Sequence, residues 1–274
     1  MLALVQEKMT MEFNPEGYEI IDAHIHPVPP ISGTDLTLFG NSTDGGSMVR
    51  ELRLAGIRQG CGSVLKTLDY ETMTFADIHE LNEAGLALRE QFPDFYIPGI
   101  TVHPKFPEES CRELEEMVRR RGVRFVGELV AHKMGYRSYS QPSMNPIWEC
   151  IRDLNLPVNV HIGELEDIAE VLRRFPTLKL IIAHPTANPD FYRQRLELIA
   201  QYPNAAIDIS GSGPNSWGMI RFGIKTAGLE KILFGTDFPL RHPGMYVAGV
   251  YAERLSPDEM TAVFAGNLKR LMRY

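Results

Sequence analysis

The chain has 274 residues, with 28 Lys and Arg against 35 Asp and Glu, a formal net charge of −7 with histidine neutral. With 44% hydrophobic and 23% charged residues it has the composition of a globular chain able to bury a large core, which excludes a disordered or fibrous protein. The acidic balance argues against general binding to nucleic-acid backbones, and no apolar run approaches the roughly 20 residues that span a bilayer. The opening MLALVQEKMTMEF breaks its apolar stretch at Gln6, Glu7 and Lys8, a poor secretory signal. The three cysteines, Cys61, Cys111 and Cys150, have neither the number nor the spacing of a disulfide framework or a cysteine zinc site. These features predict a soluble, cytoplasmic protein.

Apolar, β-branched runs recur in order near Tyr18–Ala23, Gly62–Lys66, Tyr96–Val102, Val123–Glu128, Pro157–Ile162, Leu178–His184, Ala205–Ser210 and Lys231–Asp237. Between them, Thr74–Gln91, Glu108–Arg121 and Glu164–Phe175 carry apolar residues at helical spacing. From Ala23 to Asp237 there are seven strand-to-strand steps in 214 positions, about 31 each. A βαβ unit needs roughly 30 residues. Strands alternating with helices predict a parallel sheet, and eight units in this length predict closure into a (β/α)8 barrel rather than an open sheet. No linker interrupts the pattern. One domain is expected over 1–274, with a barrel core at about 18–240 and C-terminal helices over 241–274. Ser256-Pro257-Asp258-Glu259 marks a helix start in the tail, which reads as two helices. Pro27–Gly46 and Ala131–Asn145 read as long loops after the first and fourth strands, on the C-terminal face of a barrel.

Ionisable side chains in buried parallel strands are unfavourable unless paired or bound to metal. Here they gather at strand ends. His24 and His26 close the first strand, Glu128 the fourth, His161 the fifth, His184 the sixth and Asp237 the eighth. Side-chain alternation points His24 and His26 the same way, so both can bind one ion. In a barrel these ends meet at one mouth, where barrel enzymes build their sites. A lone strand-end histidine is usually structural, and a lone Asp237 or Glu128 can serve as a cap or an ion-pair partner. Four histidines and two carboxylates together predict a metal site. Imidazole and carboxylate without thiolate suit catalytic Zn²⁺, Mn²⁺, Fe²⁺ or Co²⁺ better than a structural zinc. An open site of this kind activates water and polarises a substrate oxygen.

The ordered set IIDAHIH, NVHIG, IIAHP, ILFGTDFP and FAGNLKRLM resembles the amidohydrolase superfamily, and within it the amidohydrolase-related metalloenzymes, over nearly the whole chain. The resemblance implies that His24 and His26 bind the first metal with His161 and Asp237. It also implies that Asp237 accepts a proton from metal-bound water, and that His184 acts near the substrate or binds a second metal. The fourth strand departs from the best-known members: where two-metal hydrolases carry a carboxylated lysine, this chain has Glu128, as in some mononuclear members and TatD-like nucleases. The favoured expectation is one ion, zinc first, held by His24, His26, Glu128, His161 and Asp237. The other is a second ion bridged by Glu128 and bound by His184. Catalytic roles fall to Asp237 and His184.

Substrate contacts are expected from His103, Lys66, His132 and Arg241, with Lys133, Tyr136, Arg137, Ser210, Asn215 and His242 as further mouth residues. A structural hydrogen bond competes for His103, and a solvated loop for His132, Lys133, Tyr136 and Arg137. His79 and Trp148 are read as outside the site. The expected activity is hydrolysis of a small-molecule amide, lactone or ester by metal-activated water. The alternatives are nonoxidative decarboxylation of an aromatic or unsaturated acid, TatD-like phosphodiester cleavage, and a non-enzymatic metal-bearing module. The expected partner is a small-molecule substrate, with a homodimer as the assembly.

Overall fold

The computed structural model describes residues 17–34, 36–39 and 44–273. The opening MLALVQEKMTMEF and part of the Pro27–Gly46 loop therefore lie outside the described residues. Eight parallel strands lie in chain order: β1 Ile21–Asp22, β2 Gln59–Gly62, β3 Tyr96–Ile100, β4 Phe125–Leu129, β5 Pro157–His161, β6 Lys179–Ala183, β7 Ala206–Asp208 and β8 Ile232–Leu233. The crossover helices are α1 Gly45–Leu54, α2 Phe75–Gln91, α3 Pro107–Arg121, α4 Asn145–Asp153, α5 Leu165–Arg174, α6 Pro189–Ala200 and α7 Met219–Ala227. Helix α8, Pro243–Ala252, follows the last strand, and then α9 Pro257–Thr261 and α10 Asn267–Met272, joined by a π-helical turn. No helix among the described residues is long and apolar enough to cross a membrane.

The ring closes by bonds just beyond the last regular strand. Ile25 pairs with Phe238 in a parallel bridge. The backbone N–H groups of Ala23, His26 and Asp237 donate to Phe234, Phe238 and His24 at 2.9, 2.7 and 2.8 Å. The buried Asp22 carboxylate reinforces this seam, accepting from the N–H groups of His24 and Thr236, both at 3.0 Å, and from the Thr236 hydroxyl. Burial pushes its pKa up to about 7. The fold is thus the expected (β/α)8 barrel.

Alternation along the strands sorts the core into two parts. Leu180 and Ile182 of β6 and Val158 and Val160 of β5 pack outward under the helices. Ile21, Cys61, Ile97, Phe125, Ile181, Ala206 and Leu233 point inward, where Leu268, Leu271 and Met272 of α10 complete the floor. The lower barrel is therefore filled with apolar side chains, and its polar residues are left to the upper end.

The sequence boundaries are close for most elements, with one shift. The second strand is Gln59–Gly62, earlier than the expected Gly62–Lys66. Val64 and Leu65 are buried, but beyond the paired strand. Burial made them look like strand.

Candidate metal centre

Glu128 stands at the centre of the cluster, and a bulge puts it there. Val126 pairs with Val158 and Leu129 with Val160, so β4 spends three residues where β5 spends two. Regular alternation from the inward-facing Phe125 would send Glu128 out toward the helices. The extra residue reverses that, as bulges re-aim side chains beside sites. Gly127 accepts the bulge at φ +83°, and a Cβ there would lie 2.2 Å from the Asn159 carbonyl oxygen.

Two sets of donors face the two Glu128 oxygens. On one side His24 Nε2 and His26 Nε2 lie 3.4 and 3.3 Å from Oε2. Asp237 Oδ1 completes that set, 3.7 and 3.4 Å from the same two nitrogens. On the other side His161 Nδ1 lies 2.9 Å from Oε1, and His184 Nε2 lies 3.6 Å from it. His24, His26 and Glu128 thus form one ligand-spaced triad; Glu128, His161 and His184 form another. The structure brings all six strand-end residues together but groups His161 with His184, across Glu128 from His24 and His26. His24, His26 and Glu128 are almost fully covered, whereas the side chains of His161 and His184 are 32% and 16% exposed. The mouth opens on their side.

A buried network behind His24 selects the nitrogen it presents. Asp208 Oδ2 accepts from His24 Nδ1–H at 2.9 Å and from the Asn159 amide at 2.8 Å. Asp208 Oδ1 accepts from the Ser210 N–H at 3.0 Å, the His184 N–H at 3.3 Å and the Ser210 hydroxyl. A third ligand-spaced group, His24, His184 and Asp208, is accounted for by these bonds, which occupy the Asp208 oxygens. Gly211 allows the close approach of His184: at φ +64°, a Cβ there would lie 2.5 Å from His184 Nδ1.

The charges explain the pKa directions. Burial opposes charge on His24, but Glu128 and Asp208 outweigh it and hold the imidazole well above its usual range. Burial likewise opposes ionisation of Glu128 and Asp208, and the surrounding histidines and hydrogen bonds overcome it, so both pKa values are lowered. His184 is lowered, first by burial and then by His24. His24 Nε2 and His26 Nδ1 are buried without a hydrogen-bond partner. Such atoms are uncommon in a finished interior. An orphaned imidazole nitrogen among two carboxylates and further imidazoles fits a divalent cation, with Asp208 as the carboxylate that orients a ligating histidine.

The other sequence candidates divide. His132 lies at the mouth, its ring edge-on to His161 with centroids 5.1 Å apart. Tyr136, Arg137 and His161 share a cavity of about 890 Å³ with it. His103 does not face the cluster. Its Nε2–H donates to the Met134 carbonyl at 2.8 Å and its Nδ1 accepts from the Lys105 N–H at 3.1 Å, which makes it a strut between two loops. Lys66 packs along Gly33 in the first loop. Arg241 and His242 line another cavity of about 870 Å³ beside Phe238. Lys133 contributes backbone, its carbonyl accepting from the Leu68 N–H at 2.8 Å. Asn215 is exposed on the loop after β7. Trp148 is fully buried, and the exposed His79 pairs with Glu113. Asp208 and Asn159 received no role from the sequence. An aspartate between Ile207 and Ile209 in a buried strand carried the same signal as Glu128.

The uncharacterized protein y4mH of Sinorhizobium fredii (strain NBRC 101917 / NGR234) is 25% identical over 181 residues, 57% of this chain. The chain matches 60% of the length of that curated relative. The 2,6-dihydroxybenzoate decarboxylase from Rhizobium superposes with a TM-score of 0.73 at 14% identity, covering 93% of this chain and 99% of its own. A 5-carboxyvanillate decarboxylase from Novosphingobium aromaticivorans, solved with bound manganese and 3-methoxy-4-hydroxy-5-nitrobenzoic acid, gives 0.73 at 15% identity, covering 94% and 98%. At these identities the likenesses establish the barrel. The sequence profile of the amidohydrolase family matches residues 21–273, from the strand that carries His24 and His26 to the helix under the barrel floor. The chain therefore belongs to the amidohydrolase family.

Proposed function

We propose that the protein is a metal-dependent decarboxylase of a hydroxylated aromatic acid. The observation that carries this reading is the open donor cluster in a barrel that superposes over more than nine-tenths of the chain on two aromatic-acid decarboxylases. Manganese joins zinc as a candidate ion, because nitrogen and oxygen donors without thiolate accommodate both. The residues that would hold it are His24, His26 and Glu128, with Asp237 beside them as the proton carrier.

A bound divalent cation would supply the positive charge that holds the substrate carboxylate and a neighbouring oxygen. His24 and His26 set the floor of that site, and Asp208 keeps His24 turned toward it. His132, Tyr136 and Arg137 shape the space beside His161 where the rest of the acid lies. Asp237, whose side chain is 8% exposed, delivers the proton. The carbon–carbon bond to the carboxylate breaks, CO₂ leaves, the electron pair remains on the ring carbon, and the Asp237 proton takes that position. Solvent at the mouth restores the proton. No water enters the product.

A second reading rests on Glu128. Its oxygens face two donor sets, which suits two ions and a hydrolase in which Asp237 removes a proton from the attacking water. One experiment divides the two. Protein supplied with Mn²⁺ or Zn²⁺ is offered 2,6-dihydroxybenzoate, 5-carboxyvanillate and a panel of lactones and amides. CO₂ release from an aromatic acid is expected, and ring opening of lactones with no CO₂ from any acid would overturn the decarboxylase reading in favour of hydrolysis.

A further inference from the structure

The hydrogen bonds behind the two donor sets are more constrained than a metal site requires. Ser210 Oγ lies 2.8 Å from His184 Nδ1 and 3.1 Å from His24 Nδ1, and touches Asp208 Oδ1. The serine hydroxyl has one proton to give. Asp208 Oδ1 and Ser210 Oγ are too close for both to present lone pairs to each other, so the hydroxyl donates to the carboxylate. His24 Nδ1 already carries a proton, donated to Asp208 Oδ2. His184 Nδ1 therefore faces an oxygen with only a lone pair left to offer, and must itself be the donor. The proton of neutral His184 then sits on Nδ1, and Nε2 presents a bare lone pair toward Glu128 Oε1, 3.6 Å away.

We infer that Asp208, directly at His24 and through the Ser210 hydroxyl at His184, is a single proton lock that makes both histidines present Nε2 to the Glu128 cluster. The inference deepens the metal-centre reading and names Asp208 and Ser210 as positioning residues, since neither touches the space above the cluster. It also restricts the chemistry of His184. With its one ring proton committed to Ser210, neutral His184 serves as a ligand or proton acceptor at Nε2, not as a proton donor to substrate.

The lock is a property of the protein without metal, so it is tested there. In metal-stripped, ¹⁵N-histidine-labelled protein, the His184 ring, assigned by its absence from His184→Gln, is expected to show a protonated Nδ1 and a bare Nε2. Ser210→Ala is expected to abolish that preference, and Ser210→Thr, which keeps a hydroxyl, to restore it. A wild-type spectrum with the proton on Nε2, or a Ser210→Ala spectrum identical to wild type, overturns the inference. Metal titration of the same samples tests the reading beneath it. Ser210→Ala should spare the ion at His24 and His26, and where a second ion binds at His161 and His184 it should weaken that one by about 10–100-fold. A protein that binds no divalent ion yet shows the Nδ1–H form of His184 removes the metal reading and leaves the lock standing. Bound ions with the proton on Nε2 do the reverse.

Discussion

His184 and Asp237 share an unusual backbone state, φ +67° in each. A non-glycine residue held there costs about 1–3 kcal/mol, a strain that persists where the surrounding structure overdetermines it. Here the Arg195 guanidinium donates to the His184 carbonyl at 2.6 Å, and the Asp237 N–H is held by the His24 carbonyl at 2.8 Å. Asn tolerates the same conformation, so Asp237→Asn alters the proton chemistry without disturbing the chain. That variant is expected to keep most of its metal and lose turnover by about 100-fold or more, read by metal analysis beside steady-state rates. His24→Ala and His26→Ala are expected to lose the ion itself. His184→Ala should spare the His24 and His26 set. Full metal occupancy in both the His24 and the His26 variants would remove these residues from the ligand set.

At the level of elements, the β4 bulge decides whether there is a cluster at all. Gly127→Ala puts a methyl group against the Asn159 carbonyl in a left-handed conformation. It should lower unfolding free energy by about 2 kcal/mol or more and also lower metal content, measured by denaturant unfolding and metal analysis. A stable variant with full metal content would show that β4 places Glu128 without the bulge. Helix boundaries were legible because capping chemistry is local. The Thr74 and Ser256 capping boxes with Asp77 and Glu259 start α2 and α9 where the sequence places them. The loop after β4 is tied down over distance instead. The Trp148 indole N–H donates to the Tyr139 carbonyl at 2.8 Å, and Asp167 accepts from the Tyr139 and Ser140 N–H groups at 2.7 and 2.8 Å. Trp148→Phe removes one buried bond and should cost about 1–2 kcal/mol. Its marker is faster hydrogen exchange at Tyr139 and Ser140 without loss of metal.

Across the whole molecule, the cluster ties stability to pH and to metal. The His24 pKa is raised in the folded protein, so its contribution is complete below the unfolded value of about 6.5 and is lost as pH rises through the folded value. The Glu128 pKa is lowered, so its contribution is present above about 4.3 and is lost as pH falls through the folded value. Metal-free protein is therefore expected to be most stable between these limits and to weaken on the alkaline side. A divalent ion must displace the His24 proton, so its stabilising effect grows with pH. Thermal unfolding with chelator and with saturating Mn²⁺, compared at about pH 6 and pH 8, should show the gap between the curves widening with pH. A gap that narrows would contradict the assignment of His24 as a ligand.

The amino-acid sequence alone determined the (β/α)8 order, because each strand and helix is written in nearest-neighbour periodicity and repeats at the length of one βαβ unit. It also determined which six side chains meet, because strand ends in a closed parallel barrel share one mouth. It left His103 open between substrate contact and a structural hydrogen bond, because its strand-end position matched that of the ligands while both its nitrogens are spent on loop backbone. Only the tertiary structure decided the direction of Glu128, the pairing of His161 with His184, and the tie of Asp208 to His24 across 184 positions of chain. The reason is physical. Periodicity reports which face of its own element a residue occupies, whereas a one-residue bulge or a hydrogen bond across the ring depends on atoms that come together only when the barrel closes.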